Sequence, residues 1–377
     1  MTVASELYIG LMSGTSMDGV DGVLADFAPG DGLPLRVISH AHVPFDAGLA
    51  AELLALNSVG ANELHRAALA GNALARHYAR AVGELLSAAG VRREAVSAVG
   101  AHGQTVRHRP QEFDGTGYTL QLNQPALLAE LCGIDVVCDF RTRDVAAGGQ
   151  GAPLAPAFHR VMFGSDREVR GVLNLGGISN LTVLRPDGTT SGLDCGPGNA
   201  LMDHWCVRHT GRSFDDGGAW AASGRVLDPL LAALLSDPYF ALTPPKSTGR
   251  DLFNAPWLEA RLTAAAASGA RPEDVQATLA EFTACACAND LKSYAPDAAE
   301  LIVCGGGAFN RHLLERLAAR AGGVRVLPSG ERGLPPTQVE GCAFAWLARA
   351  FVRREALPLG TITGARGARV LGALYAR

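Results

Sequence analysis

The stretch from Leu7 to Asp21, LYIGLMSGTSMDGVD, pairs an apolar segment with a turn whose side chains suit phosphate chemistry. The apolar part predicts a buried strand, and the turn carries glycines, hydroxyl groups and two carboxylates, Asp18 and Asp21. Backbone N–H groups and hydroxyls in such a turn suit phosphate oxygens, whereas the carboxylates would hold a hydrated Mg²⁺ that bridges to phosphate. An ordinary hairpin explains the same residues equally well, because Gly, Ser and Asp are common turn formers.

Two further groups of polar residues follow short predicted strands, which is where α/β proteins commonly place their sites. His102 comes directly after one strand, and Asp139 and Arg141 follow the next one. A single isolated histidine is more often a structural residue than a ligand. The Asp/Arg run is equally typical of a structural ion-pair cluster and of a cleft for an anionic substrate, since arginine forks match carboxylates and phosphates.

Glycine-rich turns recur at three distant places, residues 14–19, 176–177 and 305–307, and each follows a short predicted strand. A triple glycine between a strand and a helix leaves room for a flat ligand against the backbone. The order strand, glycine turn, strand, turn, strand, helix occurs twice along the chain. The pattern predicts two similar α/β lobes that hold a nucleotide.

Composition narrows the class of protein. The chain has 377 residues, enough for two domains, with 48% hydrophobic residues, 19% charged residues and a net charge of −4. This balance gives no electrostatic case for nucleic acid or anionic membrane as a partner, and no apolar run reaches the roughly 20 residues of a membrane span. No signal peptide is visible. The 8 cysteines contain no CxxC pair, so we expect buried thiols in a reduced, cytoplasmic protein rather than a zinc site.

The predicted elements also suggest where the lobes begin and end. We expect residues 1–137 together with 361–377 to form lobe I, which carries the first phosphate turn. Residues 138–360 then form lobe II, with the second phosphate turn and the triple glycine. Two glycine-rich segments, 146–151 and 359–364, lie where the chain should cross between the lobes.

The three turns resemble those of the acetate kinase, sugar kinase, Hsp70 and actin superfamily, in which two phosphate turns and one adenosine turn occur in this order. Blocks spread over nearly the whole chain narrow the resemblance to the anhydro-N-acetylmuramic acid kinase family. These blocks are GTSMDGVD (14–21), HGQTVRHRP (102–110), DFRTRDVAAGGQGAPL (139–154), NLGGISN (174–180), DCGPGN (194–199), KSTGRDLFN (246–254), CGGGAFN (304–310) and the run around Glu340.

The resemblance implies both a fold and a reaction. The fold would be a two-lobed, actin-like ATPase, each lobe a duplicated ribonuclease H-like mixed five-stranded sheet with flanking helices. The reaction would open the 1,6-anhydro bond of 1,6-anhydro-N-acetylmuramic acid with water at C1 and transfer the γ-phosphoryl of ATP to O6. The product would be N-acetylmuramic acid 6-phosphate, as in cell-wall recycling. The partner would be this small amino sugar, and a homodimer is compatible with the family.

The resemblance also implies residue roles. Asp194 would be the catalytic base, although a helix N-cap or turn role suits the same residue when it is considered alone. Asp18 and Asp21 would lie near Mg²⁺ and bind it through water. Weaker candidates for sugar contact are His102, Asp139, Arg141 and Glu340. The expected ATP-binding residues are Gly14, Thr15, Ser16, Met17, Asp18, Gly19, Val20, Asp21, Gly177, Asn180, Gly305, Gly306, Gly307 and Asn310.

Two alternatives come from the same superfamily. An actin- or Hsp70-like ATP-driven binding protein would share the nucleotide site but should carry a further binding domain, and none is expected after Leu371. The other alternative is a kinase that acts on a different sugar. ATP turnover with and without the anhydro-sugar separates the binding protein from the kinases, because a binding protein would be indifferent to the sugar.

Overall fold

The computed structural model describes residues 5–14, 17–28, 33–244, 246–249 and 252–377. The chain forms two compact units, one of Met1–Met162 with Thr337–Arg377 and one of Phe163–Pro336.

The first unit is built on a six-stranded sheet of order β13-β7-β4-β1-β2-β3, beside a separate β5–β6 hairpin. Strands β1, β2 and β3 form an antiparallel meander, whereas β4 and β7 join β1 in parallel. The strands are β1 (Leu7–Met12), β2 (Gly19–Asp26), β3 (Arg36–Pro44), β4 (Val96–Ala101), β5 (Gln104–Pro110), β6 (Gly117–Leu122), β7 (Val136–Cys138) and β13 (Ala373–Tyr375).

Helices cover both faces of this sheet. The long helix α2 buries Leu74, Tyr78 and Leu85 against one face, as its amphipathic spacing predicts. Helix α12 packs on the other face directly over Gly10 and Gly100: a Cβ at Gly10 would lie 1.9 Å from Gly341 O. The helices of this unit are α1 (Ala47–Ala55), α2 (Glu63–Ala89), α3 (Pro125–Cys132), α4 (Thr142–Ala146), α5 (Ala155–Phe163, whose last residue begins the second unit), α12 (Val339–Val352) and α13 (Gly360–Thr363).

The second unit repeats the same strand order in a five-stranded sheet, β10-β9-β8-β11-β12. Strands β8, β9 and β10 form the meander, and β11 and β12 add in parallel. Its strands are β8 (Val169–Leu175), β9 (Ile178–Leu184), β10 (Thr190–Pro197), β11 (Ala298–Cys304) and β12 (Arg325–Pro328). Its helices are α6 (Ala200–Thr210), α7 (Ala219–Ser223), α8 (Asp228–Leu235), α9 (Ala255–Ala264), α10 (Pro272–Tyr294) and α11 (Arg311–Arg320).

The repeated strand order confirms the predicted α/β architecture, and three details differ from the expectation. The first sheet has six strands rather than five, because β13 pairs antiparallel with β7. Residues 138–162 and 337–360 belong to the first unit, since α12 packs on β1 and β4. The segments expected to cross between lobes, 146–151 and 359–364, both lie in the first unit, where Gln150 N donates to Thr363 O.

Candidate functional site

In the first unit, hydrogen bonds among Ser13, Tyr78 and Gly103 fix the start of the turn that follows β1. Gly103 N donates to the Tyr78 hydroxyl at 3.0 Å, Ser13 Oγ lies 3.3 Å from that hydroxyl, and Ser13 Oγ donates to Gly103 O at 3.2 Å. Gln104 Nε2 donates to Gly14 O at 3.1 Å. Gly14 is therefore anchored at the point where the predicted phosphate turn begins. Thr15 and Ser16 lie outside the described residues.

The rest of the turn leads into β2. Met17 has a φ of 55°, a left-handed conformation that non-glycine residues adopt mainly in tight turns. Asp18 is exposed, whereas Gly19 and Val20 are buried at the start of the strand. A Cβ at Gly19 would lie 2.6 Å from Val43 O, so the close approach of β2 to β3 requires glycine.

Asp21 projects from β2 beside two histidines of β3. Its Oδ1 lies 3.0 Å from His42 Nδ1 and 3.6 Å from His40 Nε2. Burial alone would raise the pKa of Asp21, but the hydrogen bonds and charges of these two imidazoles lower it below its usual value. The carboxylate is thus held ionised, with Oδ1 as the oxygen that both histidines contact.

His102, Arg141 and Glu340, three of the predicted sugar-contact residues, cluster in the first unit. Arg141 Nε and Nη2 both lie 3.0 Å from His102 Nε2, which must accept because a guanidinium only donates. His102 is therefore neutral with its proton on Nδ1, and burial together with Arg141 keeps the pKa of His102 well below its usual value. His102 Nδ1 is buried, and it has no hydrogen-bond partner among the residues that the structure describes.

Burial lowers the pKa of the half-buried Arg141 to about 10, and the charges of Glu340 and Asp144 oppose that shift. The guanidinium is therefore charged at neutral pH. Arg141 Nη1 also donates to Gly151 O at 2.9 Å. Of its five N–H groups, two point to His102 and one to Gly151, which leaves one on each terminal nitrogen to bind an oxyanion in a bidentate manner.

The loop that contacts Arg141 is itself held by Asp144, a residue that is 1% exposed. Asp144 Oδ2 accepts from Gly151 N at 2.7 Å, and Asp144 Oδ1 accepts from Thr363 Oγ1 at 2.8 Å. The fourth predicted sugar-contact residue, Asp139, contacts the Thr142 hydroxyl at the start of α4 and has a φ of 56°. Its observed role is that of a turn residue just before α4.

In the second unit, the β8–β9 hairpin turn packs against the segment that leads into α6. Gly177 O accepts from Gly198 N at 2.9 Å and from Ala200 N at 3.1 Å. A Cβ at Gly198 would lie 2.3 Å from Gly176 O, so this contact requires glycine. The turn that contains Gly177 is thereby fixed next to the first residue of α6, Ala200.

Asp194 lies in a row of polar residues that crosses three strands. It pairs with Asn180 of β9, which in turn pairs with Asn174 of β8. Directly opposed residues of antiparallel strands present their side chains on the same face, so Asn180 and Asp194 are neighbours. The register shifts immediately after Asp194, a bulge of the kind often found next to active sites.

The Asp194 carboxyl is half-buried. Thr248 N donates to Oδ2 at 3.0 Å. Burial raises the pKa of this carboxyl to about 6, although the Thr248 N–H group and the Lys246 charge lower it. A base with a pKa slightly below neutral is largely ionised at neutral pH and still accepts a proton well, which suits general base catalysis. This environment differs from that of a solvated turn aspartate.

The triple glycine after β11 also makes close backbone contacts. Gly305 has a φ of 80°, and a Cβ there would lie 2.4 Å from Asn174 Oδ1, whereas a Cβ at Gly306 would meet no atom within 4 Å. Gly307 and Gly306 begin a short 3₁₀ segment, and Asn310 caps α11 by accepting from Leu313 N at 3.0 Å. Open space beside Gly306 agrees with a ligand surface at this turn.

Several residues that hold the candidate site in place were not predicted from the sequence. Tyr78 lies in the middle of a helix, and its spacing marks it only as a core residue. Gln104 and Lys246 lie within the family blocks quoted above, which gave the only available signal for them. Gly218 belongs to an Asp/Gly-rich turn, and a Cβ there would lie 2.2 Å from Asn310 Oδ1, so this turn adjoins the triple-glycine segment.

The described residues contain neither a direct metal-binding cluster nor a membrane-spanning helix. No group of three or more His, Cys, Asp or Glu side chains among them is arranged to hold a metal ion directly. Within the same part of the chain, no helix combines the length and apolarity needed to cross a membrane.

Comparison with known proteins supplies the family. Among solved structures, the activator of the 2-hydroxyisocaproyl-CoA dehydratase from Clostridium difficile, with bound ADPNP, is similar over 92% of this chain and 96% of its own, with 12% identity and a TM-score of 0.49. Two curated relatives are named anhydro-N-acetylmuramic acid kinase. The relative from Variovorax paradoxus is 63% identical over 99% of this chain and 100% of its own, and the one from Albidiferax ferrireducens is 59% identical over 98% and 99%. The model of the family described as anhydro-N-acetylmuramic acid kinase matches residues 6–377. The chain therefore belongs to the anhydro-N-acetylmuramic acid kinase family.

Proposed function

We propose that this protein is an ATP-dependent kinase that opens the 1,6-anhydro ring of 1,6-anhydro-N-acetylmuramic acid and phosphorylates O6. The product is N-acetylmuramic acid 6-phosphate, an intermediate in the recycling of cell-wall fragments. Family membership supports the substrate and the reaction class. The observation that carries the chemistry is the half-buried Asp194 carboxyl, whose pKa of about 6 suits a general base.

In this proposal Asp194 takes the proton of the water that attacks C1. The new C1–O bond forms as the C1–O6 bond breaks, and the electron pair of the broken bond goes to O6. O6 then attacks the γ-phosphorus of ATP, and ADP leaves. Because ring opening generates the nucleophile in place, no separate base is needed to deprotonate an O6 hydroxyl.

Recognition of the sugar falls to the cluster in the first unit. Arg141 is charged, and two of its N–H groups are available, so it suits the lactyl carboxylate of the substrate. Glu340 would accept from sugar hydroxyl or amide groups, and the His102 Nδ1–H, which has no partner among the described residues, would donate. Asp139 is a weaker candidate for contact with the sugar, since it lies exposed in its turn.

ATP would be bound by the three glycine turns. The first comprises Gly14, Met17, Asp18, Gly19, Val20 and Asp21, with Thr15 and Ser16. The second is represented by Gly177 and Asn180, and the adenosine turn by Gly305, Gly306, Gly307 and Asn310. Mg²⁺ would neutralise phosphate charge during the transfer. Asp18 and the ionised Asp21 offer the hard oxygen donors that hold hydrated Mg²⁺ through water, and Asp21 contacts its histidines through a single oxygen.

A cytoplasmic location and a homodimeric assembly complete the proposal. All 8 cysteines are free and buried, which supports a reducing compartment. Sedimentation velocity would measure the assembly.

Solvent labelling tests the reaction. In H₂¹⁸O the label should appear at C1 of the product and not in its phosphate. Ring-opened N-acetylmuramic acid should be a poor substrate, because it lacks the bond whose cleavage supplies O6. Label in the phosphate, or equal activity on the ring-opened sugar, would contradict the mechanism.

A further inference from the structure

Lys246 and Asp290 form a buried ion pair in the second unit, and neither residue takes part in a step of the proposed reaction. The Lys246 ammonium donates to Asp290 Oδ1 at 3.0 Å, and 1% of the lysine side chain and 11% of the aspartate side chain are exposed. The same ammonium lies 5.2 Å from the centre of the Tyr239 ring. A buried ion pair is costly to desolvate and often adds little stability, so its presence beside a candidate base calls for another explanation.

Lys246 begins the segment 246–249, here called the strap, which contacts Asp194 through its backbone. Lys246 O accepts from Asp194 N at 3.1 Å, and Thr248 N donates to Asp194 Oδ2 at 3.0 Å. Tyr239, whose ring faces the Lys246 ammonium, donates its hydroxyl to Asp194 O at 2.7 Å. Lys246 thus anchors in the core the segment whose N–H group orients the carboxyl.

Titratable side chains of strand β10, the strap, helix α10 and the turn before the strap form a connected group around Lys246, and Lys246 and Tyr239 are the two that act on Asp194. The Lys246 ammonium is the cation among them, and it lowers the pKa of the Asp194 carboxyl, which burial raises. These side chains are Lys246, Tyr239, Cys195, Cys287 and Asp290.

We propose that Lys246 is a positioning residue for the reaction: anchored by Asp290, it fixes the strap against Asp194 and supplies the positive charge that keeps this carboxylate ready to accept a proton. The inference rests on the proposed role of Asp194 as the base. Asp290 serves to hold the ammonium in place inside the unit, where an unpaired lysine would be too costly to bury.

The test compares the double variant Lys246→Met/Asp290→Asn with the single variant Asp290→Asn, in the full-length protein. The double variant removes both charges and leaves no unpaired buried ion, so it should fold, and circular dichroism checks this. The pH dependence of kcat for the anhydro-sugar is measured from about pH 5 to pH 9. The midpoint of the acid limb should move to higher pH in the double variant, so that kcat falls about tenfold more near pH 6 than near pH 8. In the single variant the amide oxygen can still accept a hydrogen bond from the ammonium, which stays in place and charged, so its midpoint should not rise.

A loss of kcat by the same factor at every pH, or an equal rise of the midpoint in the single variant, would overturn the proposal. Titration of the Asp194 carboxyl by ¹³C NMR, with Asp194→Asn to assign its signal, reads the same midpoint without turnover. A rise of that midpoint in the double variant supports the role of Lys246 even where the substrate assignment fails. An unchanged midpoint overturns it even where the protein is an active kinase.

Discussion

The two units each hold one key charge away from water, and the charges are of opposite sign. In the first unit Arg141 is surrounded by acceptors, namely His102 and Gly151 O, and by the charges of Glu340 and Asp144. In the second unit the Asp194 carboxyl receives one backbone N–H group and the influence of one lysine. Burial lowers the pKa of the arginine to about 10 and raises that of the aspartate to about 6.

The same physical effect therefore has different consequences at neutral pH. The pKa of Arg141 stays well above physiological pH, so the guanidinium remains charged, which suits a residue that only binds. Asp194 titrates close to the working pH, which suits a residue that exchanges protons. Burial shifts the two pKa values by similar amounts, and the difference comes from where each begins: the usual pKa of arginine lies far above neutral pH, so only the aspartate is brought to the working pH.

Asp194→Asn should give the largest effect. The amide can still accept from Thr248 N, so the fold and ATP binding should persist, but it cannot take a proton. Loss of a general base typically costs about 10²–10⁴-fold in kcat. Steady-state kinetics with the anhydro-sugar measure turnover, and calorimetry measures ATP binding. Turnover within a few-fold of the parent would remove Asp194 from the mechanism.

Arg141→Lys should give the next largest effect, because lysine keeps the charge and loses the fork. We expect kcat/KM for the anhydro-muramic substrate to fall about 10–100-fold, because that factor corresponds to the free energy of one hydrogen bond to a charged group. The matched control is anhydro-N-acetylglucosamine, which lacks the lactyl carboxylate. The parent should discriminate strongly between the two sugars and the variant weakly. Unchanged discrimination would show that Arg141 contacts some other group.

The burial that raises the pKa of Asp194 should also lower the stability of the folded protein at neutral pH. Its pKa is higher in the folded protein than in the unfolded chain, so the folded state binds more protons between about pH 4 and pH 6 and loses stability as pH rises through this range. Asp194→Asn should therefore be more stable than the parent at pH 7, by on the order of 1–2 kcal/mol after allowance for partial exposure. The gain should vanish near pH 4. Thermal melts at both pH values measure it, and an equal gain at both would refute the linkage.

Thr363→Val should give the smallest effect. It removes the hydroxyl that donates to Asp144 Oδ1, while Asp144 keeps its bond to Gly151 N. Loss of one buried hydrogen bond costs about 1–2 kcal/mol, so the thermal midpoint should fall by a few degrees and KM for the sugar should rise modestly with kcat unchanged. A fall in kcat without a change in KM would mean that this loop serves the chemistry rather than binding.

The sequence predicted those features that depend on local pattern. The apolar run and the turn that follows it located the strand at Leu7–Met12, and amphipathic spacing located the helix at Glu63–Ala89. The strand-end position and the family block marked Asp194. The second meander was also expected, because its glycine turns punctuate short apolar runs.

The rest depends on contacts between distant residues, which local patterns do not encode. Lys246 and Asp290 are 44 positions apart, and Tyr78 and Gly103 are 25 apart. The unit boundaries were placed differently for the same reason: α12 follows the second unit in sequence but packs on β1 of the first. The single cue to that packing, glycine at positions 10 and 100, becomes informative only once the two strands are known to be neighbours.

Helix α12 lies on glycines, and this has a mechanical consequence for Glu340. With no side chains at Gly10 and Gly100, the helix backbone rests on the strand backbone, which is the stiffest contact available to two elements. Glu340 lies in the first turn of that helix. The backbone that carries Glu340 is therefore held close to β1. A single methyl group introduced at Gly10 would push α12 away from β1 and so displace Glu340, although every candidate site residue would keep its side chain.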